Sequence, residues 1–315
     1  MKIVLTDAQT VTQGDLSLDG LREFGEVIVH PLTAYEDIAE TVRDADAIIL
    51  NKTPLNPETL RLASHLRYIG LFATGYNNID TAYCREHNIT VCNAGSYSTN
   101  AVCQHTFALI LECLNRVGDY SRFTAEGNWK ESKTFSPFVF PINELAGKTI
   151  GIVGFGSIGR AVAKVAEAFE MKVLAYKRNR DGDKRLCDLD YLLANSDIVT
   201  VHCPLNADSR DMFNRDAFAK MKNDALFINT ARGGVVVEQD LYDALESGQI
   251  GMAAVDTIRV EPMEEDCILM NAQNCIMTPH IAWAPVETRE RLIGIVADNI
   301  ANFLAGHPTN RVDIN

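Results

Sequence analysis

Short apolar runs alternate with helical patterns over residues 1–98. Runs typical of buried parallel strands occupy residues 3–7, 27–30, 47–51, 66–72 and 89–92. The stretches between them predict helices over residues 35–43 and 81–87. Strands that alternate with helices indicate β-α-β units and a parallel sheet.

The pattern changes at residue 99 and then resumes. Apolar side chains recur at helical spacing over residues 100–120, and an irregular segment rich in aromatic residues follows at 126–141. Further strands are predicted over residues 149–153, 173–176, 198–203, 225–229, 253–256 and 275–278. A last helix is predicted over 285–304, since Pro285 stands near its start and Gly306 follows its end. Two α/β domains are therefore expected.

Composition and charge narrow the classes of partner. The 315 residues suit two domains, and their apolar (47%) and charged (23%) fractions are ordinary for a globular protein. The formal net charge of −13 argues against a nucleic-acid partner, because neutralising phosphates requires a basic face. The N-terminal residues do not resemble a signal peptide, and no apolar stretch approaches the ~20 residues that span a bilayer. We therefore expect neither nucleic acid nor a membrane as partner.

The eight cysteines predict a reducing compartment. They are scattered along the chain, without a Cys-x-x-Cys pair or a Cys/His cluster at zinc-like spacing. Reduced thiols in a cytoplasmic protein are the simplest interpretation. No metal site is expected.

A glycine-rich turn, G-F-G-S-I-G over residues 154–159, follows the predicted strand 149–153. In a dinucleotide-binding turn, Gly154 would permit the tight bend, Gly156 would let a pyrophosphate approach the backbone, and Gly159 would let helix and strand pack closely. Ser157 and Ile158 would present amides at the positive end of the following helix. Glycines can serve a β-α turn for steric reasons alone, but the position between strand and helix favours a dinucleotide.

The end of the next strand indicates which dinucleotide is bound. An acidic residue that binds the adenosine ribose usually stands there, ~20 residues after the turn. Here Lys177 and Arg178 occupy that place. Cations attract a 2′-phosphate that a carboxylate would repel, so NADP(H) is predicted as cofactor, with NAD(H) as the alternative. The other interpretation is that both side chains are solvated surface residues.

Further motifs follow in a fixed order, and together they resemble the D-isomer-specific 2-hydroxyacid dehydrogenase family over nearly the whole chain. The motifs are A-T-G-Y-N-N-I-D at 73–80, E-L-A-G-K-T at 144–149, V-H-C-P-L at 201–205, F-I-N-T-A-R-G-G at 227–234, Asp256 with E-P at 261–262, and T-P-H-I-A-W at 278–283. Residues 101–107, Trp129 and the H-I-A-W ending look most like the glycerate dehydrogenase (hydroxypyruvate reductase) branch.

The resemblance implies an architecture. The expected fold is α/β, with two Rossmann-like or flavodoxin-like parallel-sheet domains and the active-site cleft between them. The dinucleotide-binding domain, residues 99–286, would be inserted in a substrate-binding domain of residues 1–98 and 287–315. A homodimer is also implied, with the 126–141 segment embracing the partner.

The family's catalytic residues match Arg232, Glu261 and His280. His280 would act as general acid and base, because imidazole titrates near neutral pH. Glu261, on the other ring nitrogen, would orient it. Arg232 would bind the substrate carboxylate with its planar guanidinium and polarise the carbonyl. Each residue taken alone also fits an ordinary loop or surface position.

Other roles are implied by matching position. The residues expected to contact the cofactor, besides Arg232, are Cys203, Pro204, Ser209, Thr230, Ala231 and Asp256. The residues expected to contact the substrate, besides Arg232, are Asn51, Lys52, Thr74 and Gly75. The chain departs from the common pattern at Arg259, before Glu261, and at Gln104 and His105, where an acidic residue is frequent. We expect His105 to pack or to lie at an interface rather than to bind a ligand.

The predicted activity is the interconversion of a small 2-keto acid, such as hydroxypyruvate or glyoxylate, and its D-2-hydroxy acid. A dinucleotide-sensing binding protein, like the corepressors that resemble this family, is the alternative, because such proteins can retain all three catalytic residues. The compact length favours the enzyme.

Overall fold

The structure is a computed structural model and describes residues 1–179 and 182–314. It divides into two compact units, Met1–Ser98 with Ala284–Asn315, and Thr99–Trp283. The return to the first unit thus comes at Ala284 rather than at the expected residue 287. The reason is that Arg289 in the last helix donates through Nε to the Ala284 carbonyl at 2.9 Å, which ties this segment to that helix.

Among the described residues, eleven strands form two sheets of five and six strands. In chain order the strands are β1 Lys2–Leu5, β2 Glu26–Val29, β3 Ala47–Leu50, β4 Tyr68–Leu71, β5 Thr90–Cys92, β6 Thr149–Val153, β7 Lys172–Tyr176, β8 Ile198–Val201, β9 Leu226–Asn229, β10 Met252–Val255 and β11 Cys275–Met277. The α-helices are α1 Ile38–Val42, α2 Pro57–Leu60, α3 Thr81–Glu86, α4 Thr99–Asn115, α5 Val117–Ala125, α6 Ser157–Ala168, α7 Leu189–Asn195, α8 Arg215–Ala219, α9 Glu238–Glu246 and α10 Val286–Leu304. No helix in these ranges is long and apolar enough to cross a membrane.

The first unit is a parallel sheet in the order β2-β1-β3-β4-β5, which is the flavodoxin-like order. Every residue of β3 and β4 is buried, because strands covered on both faces are apolar along their whole length. The last helix, α10, completes this unit, with the ring of Phe303 at 4.8 Å from that of Tyr68 in β4.

The second unit is a parallel sheet in the order β11-β10-β9-β8-β6-β7. The direction in which successive strands are added reverses at β6, which lies between β7 and β8. In open α/β sheets, ligands bind beyond the carboxyl ends of the strands at such a switch point. A ligand-binding site is therefore expected at the loops that follow β6, β8, β9, β10 and β11.

The helical pattern over residues 100–120 is interrupted, contrary to the single helix expected. Arg116 adopts a left-handed conformation (φ 52°) between α4 and α5. Its Nε donates to Asp119 at 2.7 Å, which holds the new helix start. Much of α4 is buried, whereas no residue of α5 is. The apolar face that supports α4 thus ends before α5 begins.

Candidate active site

The glycine turn has the shape that a pyrophosphate needs. Gly154 has φ 100°, and a Cβ on it would overlap the backbone of His202 and Cys203 after β8. A Cβ on Gly159 would overlap the Gly154 carbonyl, whereas nothing lies within 4 Å of a Cβ position on Gly156. The open side of the turn is therefore at Gly156.

Helix α6 begins directly at this open side. It starts at Ser157, so the amides of Ser157 and Ile158 belong to its first turn. The first amides of a helix have no partner within it and attract anions. The residues present thus fit a dinucleotide pyrophosphate.

Lys177 and Arg178 directly follow β7, which pairs with β6. The guanidinium of Arg178 forms an ion pair with Asp208 in the loop after β8, and both side chains are largely exposed. Arg180, also in this segment, lies outside the described residues. No carboxylate occupies residues 177–179, so the strand end that usually holds one carries positive charge.

The loop after β8 contains Cys203 and Pro204, and Ser209 contacts its start. The Ser209 hydroxyl donates to the Pro204 carbonyl at 2.6 Å and is almost fully buried. This contact stabilises the loop beside the glycine turn, and a contact of Ser209 with a phosphate stays a prediction.

The side chain of Asn229, the last residue of β9, holds the turn that presents Arg232. Its Oδ1 accepts the Ala231 amide at 3.0 Å, and its Nδ2 donates to the Arg232 carbonyl at 3.0 Å. The Arg232 guanidinium donates to the Ala231 carbonyl at 2.7 Å. In the described part of the chain Arg232 forms no ion pair, so its charge is available to an anion.

The loops after β9 and β10 approach each other closely. A Cβ on Gly233 would overlap the carbonyl group of Ile258, so only glycine fits directly after Arg232. The Ile258 amide in turn donates to Oε1 of Glu261 at 3.2 Å. The arginine and the carboxylate expected to be catalytic therefore lie on adjoining loops.

His280 and Glu261, two of the residues expected to be catalytic, are in direct contact. The His280 Nδ1 lies 2.6 Å from Glu261 Oε2, and the side chains are 22% and 31% exposed. A carboxylate only accepts, so Nδ1 carries a hydrogen and Nε2 is left to face a ligand. This is the geometry of an acid or base whose ring is oriented by a carboxylate.

Asp256, after β10, holds the backbone around His280. Its carbonyl accepts the His280 amide at 2.8 Å, and its carboxylate accepts the amides of Ile281 and Ala282 at 2.9 Å each. Burial raises the pKa of Asp256, but hydrogen bonds from His105, Thr278 and these amides outweigh it, so the net pKa is lowered. Its carboxylate therefore has a structural task here, and a contact with the nicotinamide carboxamide stays a prediction.

Thr230 and its neighbours show polar contacts that the sequence did not predict. The Thr230 hydroxyl lies 3.1 Å from that of Thr106 in α4 and 3.5 Å from Nδ1 of His202. Desolvation lowers the pKa of His202 to about 3, so its imidazole is neutral at physiological pH. The motif around His202 was recognised, but its spacing alone does not identify these partners.

In the first unit, two of the expected substrate-binding segments lie at the carboxyl ends of neighbouring strands. Asn51 and Lys52 follow β3, and their amides donate to the buried Asp7 carboxylate at 2.9 and 2.6 Å. Thr74 and Gly75 follow β4, and the Thr74 carbonyl accepts from Asn93 Nδ2 at 2.7 Å. The structure thus gives each segment a fixed backbone, and its contact with substrate stays a prediction.

The described thiols and carboxylates do not form a metal site. All eight cysteines are free, and burial raises the pKa of several, including Cys203 to about 11. Among the residues that the structure describes, no group of three or more His, Cys, Asp or Glu could hold a metal ion.

Comparison with known proteins decides the family. Residues 107–282 match the model of the D-isomer specific 2-hydroxyacid dehydrogenase NAD-binding domain. The chain belongs to the D-isomer specific 2-hydroxyacid dehydrogenase family. It is therefore a D-2-hydroxyacid dehydrogenase with an NAD-binding domain, as the ordered motifs indicated.

Individual relatives cover nearly the whole chain. A hydroxypyruvate reductase from Blautia hydrogenotrophica is 40% identical over 99% of this chain and 100% of the relative. A glycerate dehydrogenase from Methylorubrum extorquens is 39% identical over 88% of both. A solved structure of an acyclic imino acid reductase (Bsp5) in complex with NADPH and D-Arg is 29% identical, with a TM-score of 0.88 over 99% of this chain and 100% of that one.

Proposed function

We propose that this dehydrogenase reduces hydroxypyruvate, glyoxylate or a similar small 2-keto acid to the D-2-hydroxy acid, with His280 as general acid. The observation that carries the proposal is the 2.6 Å contact between His280 Nδ1 and Glu261 Oε2. Arg232 lies on the adjoining loop and forms no ion pair in the described part of the chain. The names of the two relatives with near 40% identity support the substrate class.

The proposed chemistry uses each group of the trio. A nicotinamide cofactor, held at the glycine turn of residues 154–159, would supply the hydride for the carbonyl carbon. His280 gives its Nε2 proton to the carbonyl oxygen as the C–O double bond becomes single, and its Nδ1 hydrogen stays on the ring and is donated to Glu261. Arg232 binds the substrate carboxylate and draws charge toward the carbonyl oxygen. In the reverse direction the neutral imidazole takes the hydroxyl proton.

Lys177 and Arg178 are proposed to favour NADPH over NADH. The 2′-phosphate would meet two cations, of which Arg178 exchanges or shares its pairing with Asp208. The relative in complex with NADPH supports this choice. Comparing kcat/KM for the two cofactors tests it, and a 100-fold preference for NADH would refute it.

The first unit is proposed to contribute the amides of Thr74 and Gly75 to the substrate carboxylate, with Asn51 and Lys52 as further substrate contacts. The Asp7 carboxylate accepts the backbone amide of Lys52, which a side-chain substitution leaves in place. Replacing Lys52 by Met is expected to raise KM for the keto acid and leave the affinity for the dinucleotide unchanged.

A homodimer is proposed from the aromatic segment at 126–141. Phe135 and Phe138 are 90% and 89% exposed in the isolated chain, which is unusual for large apolar side chains and marks a contact surface. Light scattering during size-exclusion chromatography is expected to give twice the mass of the chain. A monomer at micromolar concentration would contradict this.

A steady-state assay tests the function as a whole. Hydroxypyruvate, glyoxylate, pyruvate and bulkier 2-keto acids are each offered with both reduced cofactors. Turnover of the small keto acids is expected, and His280→Gln should lower kcat by orders of magnitude with little change in cofactor affinity. If no keto acid is turned over although a dinucleotide binds, the sensing protein becomes the better description.

A further inference from the structure

Helix α4 directs two adjacent polar side chains, His105 and Thr106, at the strand ends that carry the site. The Thr106 hydroxyl contacts that of Thr230, after β9. The His105 Nε2 lies 3.0 Å from the Thr278 hydroxyl, after β11, and 3.4 Å from Asp256 Oδ1, after β10. One turn of a helix therefore contacts three neighbouring strand ends, and none of these contacts belongs to the trio itself.

The direction of the hydrogen bonds follows from the chemistry of the partners. The Thr278 hydroxyl donates to Asp256 Oδ1 at 2.6 Å, because a carboxylate can only accept. Its single hydrogen is thus used, and it can only accept from His105. His105 therefore carries a hydrogen on Nε2 and donates it to Thr278, and Thr278 in turn donates to Asp256.

Asp256 connects His105 and Thr278 to His280, the residue proposed as the acid. Its side chain is 0% exposed, and it accepts the backbone amides of the two residues after His280. His280 itself has φ 54°, a left-handed backbone conformation that residues other than glycine rarely adopt. The carboxylate must keep its orientation for these amides to hold the strained residue in place.

We propose that His105 is a positioning residue for the reaction: through Thr278 and through its own contact with the carboxylate it orients Asp256, and Asp256 holds the backbone that presents His280. The proposal rests on the acid role of His280. It assigns His105 no contact with substrate or cofactor. It predicts that loss of the Nε2 donor slows the chemical step while ligand affinities stay the same.

The test compares two replacements of His105 that differ in the donor. His105→Leu removes it, whereas His105→Gln keeps an N–H at a similar distance from the helix. We expect His105→Leu to lower single-turnover rates about fivefold to tenfold, the effect of losing one ordinary hydrogen bond. The KM for the keto acid and the Kd for the dinucleotide should stay within twofold, and His105→Gln should restore at least half of the rate. Gln104→Leu, which changes the exposed neighbour on α4, is the matched control and should keep the full rate.

A second variant removes the same contact from its other end. Thr278→Val deletes the hydroxyl, and the loss of rate in the double variant with His105→Leu should be smaller than the product of the two single losses, because both side chains act on the Asp256 carboxylate. The Thr278 variant also provides the test if His105→Leu does not fold.

The outcomes separate this proposal from the proposed function. The positioning role would be overturned if His105→Leu and His105→Gln lose the same fraction of the rate. It would also be overturned if the losses of rate in the double variant are additive, or if only the affinity for the dinucleotide falls. If His280→Gln keeps near wild-type turnover, the acid role fails instead. If that variant is inactive and His105→Leu reacts like wild type, only the positioning proposal is wrong.

Discussion

Replacing Glu261 by Gln changes one charge in the site and little else. Gln keeps an oxygen that can accept from His280 Nδ1, whose distance to Glu261 Oε2 is 2.6 Å. What is lost is the negative charge that stabilises the imidazolium. With side chains 22% and 31% exposed, solvent screens this charge only in part.

The magnitude follows from the type of hydrogen bond. A bond to a charged group contributes about 1.5–3 kcal/mol and a neutral one about 0.5–1.5 kcal/mol, so the expected loss is about 1–2 kcal/mol. If the loss falls on the transition state, it corresponds to a rate reduction of about 5- to 30-fold. The effect should fall on the proton-transfer step, so the KM for the keto acid should change little.

The assay is a single-turnover measurement of reduced-nicotinamide absorbance, because product release can limit kcat and hide a change in chemistry. Glu264→Gln, an exposed carboxylate of the same loop, is the control and should react like wild type. A Glu261→Gln rate within twofold of wild type, or a loss that appears only in KM, would refute the orienting role of the carboxylate.

The remaining predictions concern the cofactor, pH and two glycines. Lys177→Asp, which places a carboxylate after β7, should lower the NADPH-to-NADH ratio of kcat/KM at least about tenfold, and a change under twofold would contradict the proposed contact. Because the pKa of His202 is lowered from 6.5 to about 3, the unfolded chain binds a proton below pH 6.5 that the native chain does not. The free energy of unfolding should therefore fall as pH drops below 6.5, and this group contributes up to about 1.4 kcal/mol per pH unit. Urea titrations at several pH values should show that the free energy of unfolding of His202→Asn depends less steeply on pH than that of wild type. Gly233→Ala forces a Cβ into the Ile258 backbone and should cost about 1–3 kcal/mol and most of the activity. Gly294→Ala, on the open face of α10, should instead stabilise by about 0.5–1 kcal/mol, and calorimetry that shows the same sign for both would contradict the packing.

Local chemistry explains what could be predicted from the sequence. Apolar runs such as A-I-I-L in β3 and M-A-A-V in β10 are typical of strands covered on both faces, so the parallel α/β class was predictable. The glycine turn was predictable because the spacing of its glycines and its place between a strand and a helix form a local pattern. Arg232, Glu261 and His280 were identified through the order of motifs, since nothing local distinguishes an arginine or a histidine in a loop.

What the sequence determined by itself is therefore the set of strands, the dinucleotide turn and the family to which the motifs belong. Only the tertiary structure decided which side chains meet. Parallel strands bring their carboxyl ends to one edge, so residues far apart in the chain, such as His105 and Thr278, or Gly233 and Ile258, become neighbours. The break at Arg116 was likewise invisible, because α5 continues the helical spacing although it buries none of its residues. Periodicity records which face of an element is buried, and it carries no information about what lies against that face.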